Sequence, residues 1–250
     1  MGVDNAVRLY WSRSQELDRI PRFIGPDFPK PDIYYDSTGT HVIRGLAQNE
    51  TMLRDHLPGV RVNAKRLQGQ WVVHDLPEII NGDVPVINRT GKNVDDSEIQ
   101  AARQLGLNED QIALIIDFNR CKRALSGNLI EPVSTEGTLN NLRDLLEGVE
   151  HFHYTTVLWT GSWKSICYEQ LTQETGRLTY QEYQELEAHL PKYCQRYGLK
   201  LPSEKALVYD IDTLGLWWEN IGKLDISPQL IKFGRSEMEL QLKRIVGLWS

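Results

Sequence analysis

Apolar side chains recur along this chain in two rhythms, one close to a helical turn and one close to strict alternation. Over residues 4–20, Val7, Tyr10, Trp11 and Leu17 fall near one stripe. Arg8, Ser12, Arg13, Gln15, Glu16 and Arg19 lie elsewhere, which predicts an amphipathic helix. Pro21 ends it, and Pro26 and Pro29 hold the next stretch extended. Taken alone, that helix is expected to fold back on its own core.

Shorter segments then read as strands. Asp32 to Tyr35 and His41 to Arg44 flank Ser37-Thr38-Gly39 as one hairpin. Val60 to Leu67 and Gln70 to His74 flank Gln68-Gly69 as a second. Val84 to Asn88 is a brief apolar run after Asn81-Gly82. Residues 96–105 read as a helix capped by Asp96 or Ser97, and Thr138 to Leu146 as another, while Ile112 to Phe118 fits either state. Phe152 to Trp159 is rich in strand formers. Thr179 and Glu182 have the capping-box spacing for a helix reaching Tyr197, interrupted by Pro191. Ala206 to Ile211 reads as a buried strand and Glu237 to Val246 as a terminal helix. Strands and helices mixed without a regular βαβ rhythm predict a single α+β domain.

Composition narrows the function classes. With 250 residues, 40% hydrophobic and 25% charged, the chain is too apolar for disorder and long enough for a sizeable core. Its net charge of −6 is spread without long like-charge blocks, which speaks against a dedicated nucleic-acid or anionic-membrane binder. No segment approaches the ~20 apolar residues of a membrane helix. Asp4, Arg8 and Arg13 interrupt any signal-peptide run, and Ala6 stands where a myristoylation motif has Ser or Thr. Cys121, Cys167 and Cys194 are odd in number and widely spaced, so they read as reduced, buried thiols. The protein is expected to be soluble and to stay where it is made.

Candidate chemistry is sparse. Trp159-Thr160-Gly161-Ser162-Trp163-Lys164-Ser165 ends like a phosphate loop, but Trp163 occupies the position that needs glycine. Asp210 and Asp212, on the expected strand, would share a face and could hold magnesium, as in haloacid-dehalogenase-like or glycosyltransferase sites. A strand-end cap or ion pair is the favoured reading of that pair. His151 and His153 have the same spacing without a further ligand nearby. Glu237-Met238-Glu239, with Arg8, is similar to the acidic end of ADP-ribosyltransferases, yet a helix would separate the two carboxylates. Trp163, Trp217, Trp218 and Trp249 offer aromatic surface for a protein-binding adaptor. No catalytic residue and no metal ligand is singled out, and an enzyme using Asp210, Asp212 and Lys164 is the alternative.

Several pieces in order resemble the cypovirus polyhedrin family: Ile33 to Ile43, Leu114 to Phe118 with Ser126-Gly127-Asn128, His151 to Tyr154 through Gly161, Tyr193 to Tyr197, and Tyr209 to Asp212. Residues 46–110 and the tail from Leu216 are unmatched. The resemblance implies a non-enzymatic structural protein with an antiparallel β-sandwich flanked by helices. It further implies homotrimers joined into a crystal lattice that encases virus particles, as occlusion bodies in the host cell cytoplasm. No cofactor is implied beyond trapped nucleoside triphosphates. Residues 1–20 become an arm projecting from a body of residues 21–250, with Val7, Tyr10, Trp11 and Leu17 as its contact stripe. Dissolution in alkali is expected from tyrosine ionisation near pH ~10, with Tyr34, Tyr35, Tyr193 and Tyr197 as the sensing candidates.

Overall fold

The computed structural model describes residues 2–22, 37–83, 94–128, 132–149 and 204–249. Among these residues every regular element is a helix, and the sole extended pairing is an isolated bridge between Pro21 and Ser37. The helices are α1 (Gly2–Leu17), α2 (Thr38–Asp55), α3 (Ala64–Val73), α4 (Glu78–Asn81), α5 (Val94–Gln104), α6 (Glu109–Leu125), α7 (135–149), α8 (Glu204–Ile221) and α9 (Pro228–Trp249). The expected α+β fold with an antiparallel β-sandwich is therefore overturned.

The reason lies in residues that serve turns and helix starts alike. Ser37 begins a helix because its Oγ accepts the Thr40 N–H at 3.0 Å. His41 to Arg44 thus sit in α2 and not in a hairpin. Asn63 does the same for α3, accepting from Arg66 N at 3.1 Å. Helix formers Ala64, Lys65, Arg66, Leu67 and Gln68 then carry the chain through Gly69, and the second hairpin is lost. Ala206 to Ile211 lies inside α8, whose buried Leu214, Trp217 and Ile221 recur at helical spacing. Ile112 to Phe118 lies in α6, opened by a reciprocal capping box between Asn108 and Gln111. The helices expected at 96–105, Thr138–Leu146 and Glu237–Val246 fall within α5, α7 and α9; α5 starts before Asp96, which lies in its first turn. Asp32 to Tyr35, Val84 to Asn88, Phe152 to Trp159 and Thr179 to Tyr197 fall outside the described residues.

α1 does not project. It packs on α3, with further contacts to α2, α4 and α6. Tyr10 and Leu17 are buried there, and the Tyr10 hydroxyl donates to the Gly39 carbonyl at 3.1 Å. Val7 packs at the edge of the same cluster, and Trp11, on the neighbouring face, is 63% exposed. A terminal helix with two large side chains in its own core gains more by staying than by reaching outward.

α3 and α6 run through two apolar clusters. One holds Tyr10, Leu17, Val42, Trp71, Leu76, Ile112 and Ile115; the other holds Leu67, Leu125, Leu139, Leu142, Leu214, Trp217 and Leu230. Between them the same two helices place Gln70 and Asp117, joined at 2.9 Å and tied to α7 through Asn140, which donates to Gln70 Oε1 at 2.9 Å. Each of these buried groups has a partner, as a polar seam between two cores requires. The seam fixes α7 against α3, and those two helices with α2 frame the site.

Candidate metal centre

Three helices each deliver a ligand-bearing side chain to one point. His41 stands in the first turn of α2, its N–H bonded to Ser37 O at 3.0 Å. His74 caps the C-terminus of α3, and the turn that follows presents Asp75. Asp144 comes from α7. His41 Nε2 lies 3.5 Å from Asp75 Oδ2 and 3.4 Å from Asp144 Oδ1, and His74 Nε2 lies 3.1 Å from Asp75 Oδ1. Ligand atoms of His41, His74 and Asp75 all fall within 4.8 Å of one another.

The rings are held for this arrangement. His74 Nδ1 is 2.7 Å from the Trp71 carbonyl, which can only accept, so that nitrogen donates and Nε2 is left turned inward beside Asp75. Trp71 and Phe118 lie 4.8 and 4.6 Å from the His74 ring and fix its plane. Trp71 is itself anchored by its indole N–H on Val42 O at 3.1 Å. Neither nitrogen of His41 nor Nε2 of His74 makes a well-aligned hydrogen bond, although all three are buried. Buried unsatisfied nitrogens facing carboxylates are costly unless a cation joins them.

Electrostatics point the same way. Burial and Arg22 push the His41 pKa down, but contacts with Asp144, Glu147 and Asp75 outweigh them and leave it raised. Asp144 is held well below the usual carboxylate range, the contact with His41 outweighing burial. Glu147 is lowered to about 2, again against burial, by His41 and Arg44. Glu78, whose Oε2 accepts from Thr38 Oγ1 at 2.8 Å, is raised well above its ordinary value by burial and then by Asp75 and Asp83. Arg22 lies beside Asp144 at 3.8 Å, and Asp83 and Asp144 raise its pKa against burial. The surrounding carboxylates favour the form of His41 that carries a second proton. A divalent cation would displace that proton.

The donor set fits a metal. Two imidazoles and the Asp75 carboxylate, with the Asp144 carboxylate beside His41, suit borderline ions such as manganese, iron, cobalt, nickel or zinc. The histidines are 0% and 3% exposed against 12% and 24% for Asp75 and Asp144, so the site is nearly enclosed and what opening it has lies on the carboxylate side.

None of the residues singled out from the sequence belongs to this cluster. Asp210 and Asp212 lie on α8, where neighbours two apart diverge; Asp210 is half-buried and Asp212 exposed, so the expected shared face is lost. Met238 is buried between a half-buried Glu237 and an exposed Glu239, and Arg8 is exposed. Cys121 is buried and free, and burial raises its pKa. Trp217 is buried and Trp218 partly exposed under Arg235. Tyr34, Tyr35, His151, His153, Lys164, Cys167, Tyr193, Cys194 and Tyr197 lie outside the described residues. The overlooked signal was the consecutive His74-Asp75 at the end of the apolar run Trp71-Val72-Val73.

No known protein family, curated protein or solved structure matches this chain.

Proposed function

We propose that the chain is a divalent-metal-dependent hydrolase acting on phosphate esters. The observation that carries this reading is the convergence of His41, His74 and Asp75, with Asp144 beside His41 and both Nε2 atoms buried and without a hydrogen bond. Structural metal sites favour a closed thiolate set, whereas mixed imidazole and carboxylate ligands with one open side are the donor set of catalytic ones. A bound divalent ion supplies Lewis acidity and lowers the pKa of water toward neutrality. Arg22, next to Asp144, sets a guanidinium beside the open side, suited to the oxygens of a phosphoryl group. Glu78, one turn beyond Asp75 and pushed well above its ordinary pKa by burial and by Asp75 and Asp83, is the acid assigned to the leaving oxygen. In that reaction water oxygen bonds to phosphorus and gives up a proton, the ester P–O bond breaks, the alcohol departs with the proton of Glu78, and the proton lost by water restores Glu78.

The test is to strip the full-length protein of metal, reload it with Mn²⁺, Co²⁺, Ni²⁺ or Zn²⁺, and measure phosphate release from aryl phosphates and a panel of phosphomonoesters. Release is expected with at least one ion and is expected to vanish in Asp75→Asn. No metal uptake, or release indifferent to Asp75→Asn, sinks the reading. The occlusion-body reading implied an antiparallel β-sandwich, which the described residues do not form; micrometre crystals in expressing insect cells would speak in its favour.

A further inference from the structure

Asp144 and Glu147 are one turn apart on α7 and therefore share a face. They grip a single imidazole from its two sides. Asp144 Oδ1 lies 3.4 Å from His41 Nε2, and Glu147 Oε1 lies 3.2 Å from His41 Nδ1. A neutral imidazole has one N–H, and which nitrogen bears it decides which nitrogen binds metal. Glu147 is itself held in place. Arg44 Nε donates to its Oε1, and Arg143 Nη2 approaches its Oε2 at 3.5 Å. Arg143 in turn rests over the Trp71 ring at 5.4 Å from the centroid. The carboxylate is thus 9% exposed and fixed between two guanidinium groups.

We propose that Glu147 is the positioning residue of the metal centre: its carboxylate accepts the His41 Nδ1–H and keeps the proton on that nitrogen, so that Nε2 faces the ion between Asp75 and Asp144. His74 has its counterpart in the Trp71 carbonyl, so each ring has an oxygen behind its outer nitrogen. The inference rests on the metal-centre reading above and adds to it the group that selects the ligand atom. A carboxylate behind a metal-bound histidine also raises the basicity of the ring, and removing such a partner typically costs about 10–100-fold in metal affinity.

The experiment uses the full-length protein loaded with diamagnetic Zn²⁺. Histidine ¹⁵N spectra are expected to show His41 protonated at Nδ1 and metallated at Nε2. Zn²⁺ titration of Glu147→Ala is expected to show affinity lower by about 10–100-fold, with His74 signals unchanged. Glu147→Gln, whose amide oxygen still accepts, is expected to recover most of that loss. Should the Ala variant fail to fold, the wild-type spectrum and the Gln variant decide the matter. Zinc on Nδ1 of His41, or equal affinity in wild type and Glu147→Ala, overturns the role of Glu147 while leaving the centre standing. A wild type that takes up no Zn²⁺ overturns both.

Discussion

Side chains that bind a metal are made effective by what stands behind them, and His74 illustrates this with a single atom. The Trp71 carbonyl decides its tautomer, and that carbonyl lies three residues back on the same helix. His74→Ala should lower Co²⁺ affinity by more than the ~100-fold upper limit for losing a supporting group. The Co²⁺ visible absorption bands measure it; bands unchanged in position and midpoint would remove His74 from the ligand set. Little of this was legible in the sequence. The ligands recur at 41, 74–75 and 144, so no local window contains them. Sequence reasoning considered i, i+2 pairs such as Asp210 with Asp212, because that spacing shares a face on a strand, and preferred a cap or ion pair for them. The face existed only as long as the strand did.

Helices explain why the reading went wrong where it did. Some helical segments were legible: α1, α5 and α7 lie within about three residues of the spans read from the sequence, whereas only the second half of α9 was read, its start lying earlier at Pro228. The misread segments, Ser37 to Arg44 and Gln68 to His74, combine β-branched residues with Ser, Gly or Asn, and these are turn residues or helix caps depending on the hydrogen bond they make. Packing across elements decides it. Gly45 of α2 faces the Trp71 indole so closely that any Cβ would collide with it. Gly45→Ala should therefore lower stability by about 1–3 kcal/mol, although alanine favours helix by roughly 1 kcal/mol. It should also weaken metal binding, because Trp71 carries the carbonyl behind His74. Urea unfolding and Co²⁺ titration check both, and a stabilised variant would contradict the packing. Deleting residues 1–20 tests α1. It removes Tyr10 and Leu17 from the core, each worth about 1.5–3 kcal/mol, against a typical total of about 5–15 kcal/mol. Loss of the cooperative thermal transition is expected; a truncated protein that melts like the full chain would restore the arm.

Global stability carries one signature of this packing that pH exposes. Tyr10 joins α1 to α2 through its bond to Gly39 O, and burial, Asp18 and Asp75 raise its pKa to about 12. An unfolded tyrosine ionises near pH ~10. The native state therefore keeps a proton that the unfolded chain gives up, and this contribution is whole below pH ~10. It falls as pH rises toward about 12, by on the order of 2 kcal/mol for the metal-free protein. Tyr10→Phe should cost about 1 kcal/mol at pH 7 through the lost hydrogen bond. It also removes this part of the alkaline decline, so the two stability curves should converge above pH ~10 and cross before pH ~12. Urea midpoints of both proteins at pH 7, 9, 10 and 11 measure this. Parallel curves would mean that Tyr10 titrates normally and that α1 is not seated as described. Alkaline sensitivity was expected from the sequence as a property of exposed tyrosines at lattice contacts. Among the described residues, Tyr10 supplies a source of it inside one protomer, from a buried phenol and the acidic groups around it.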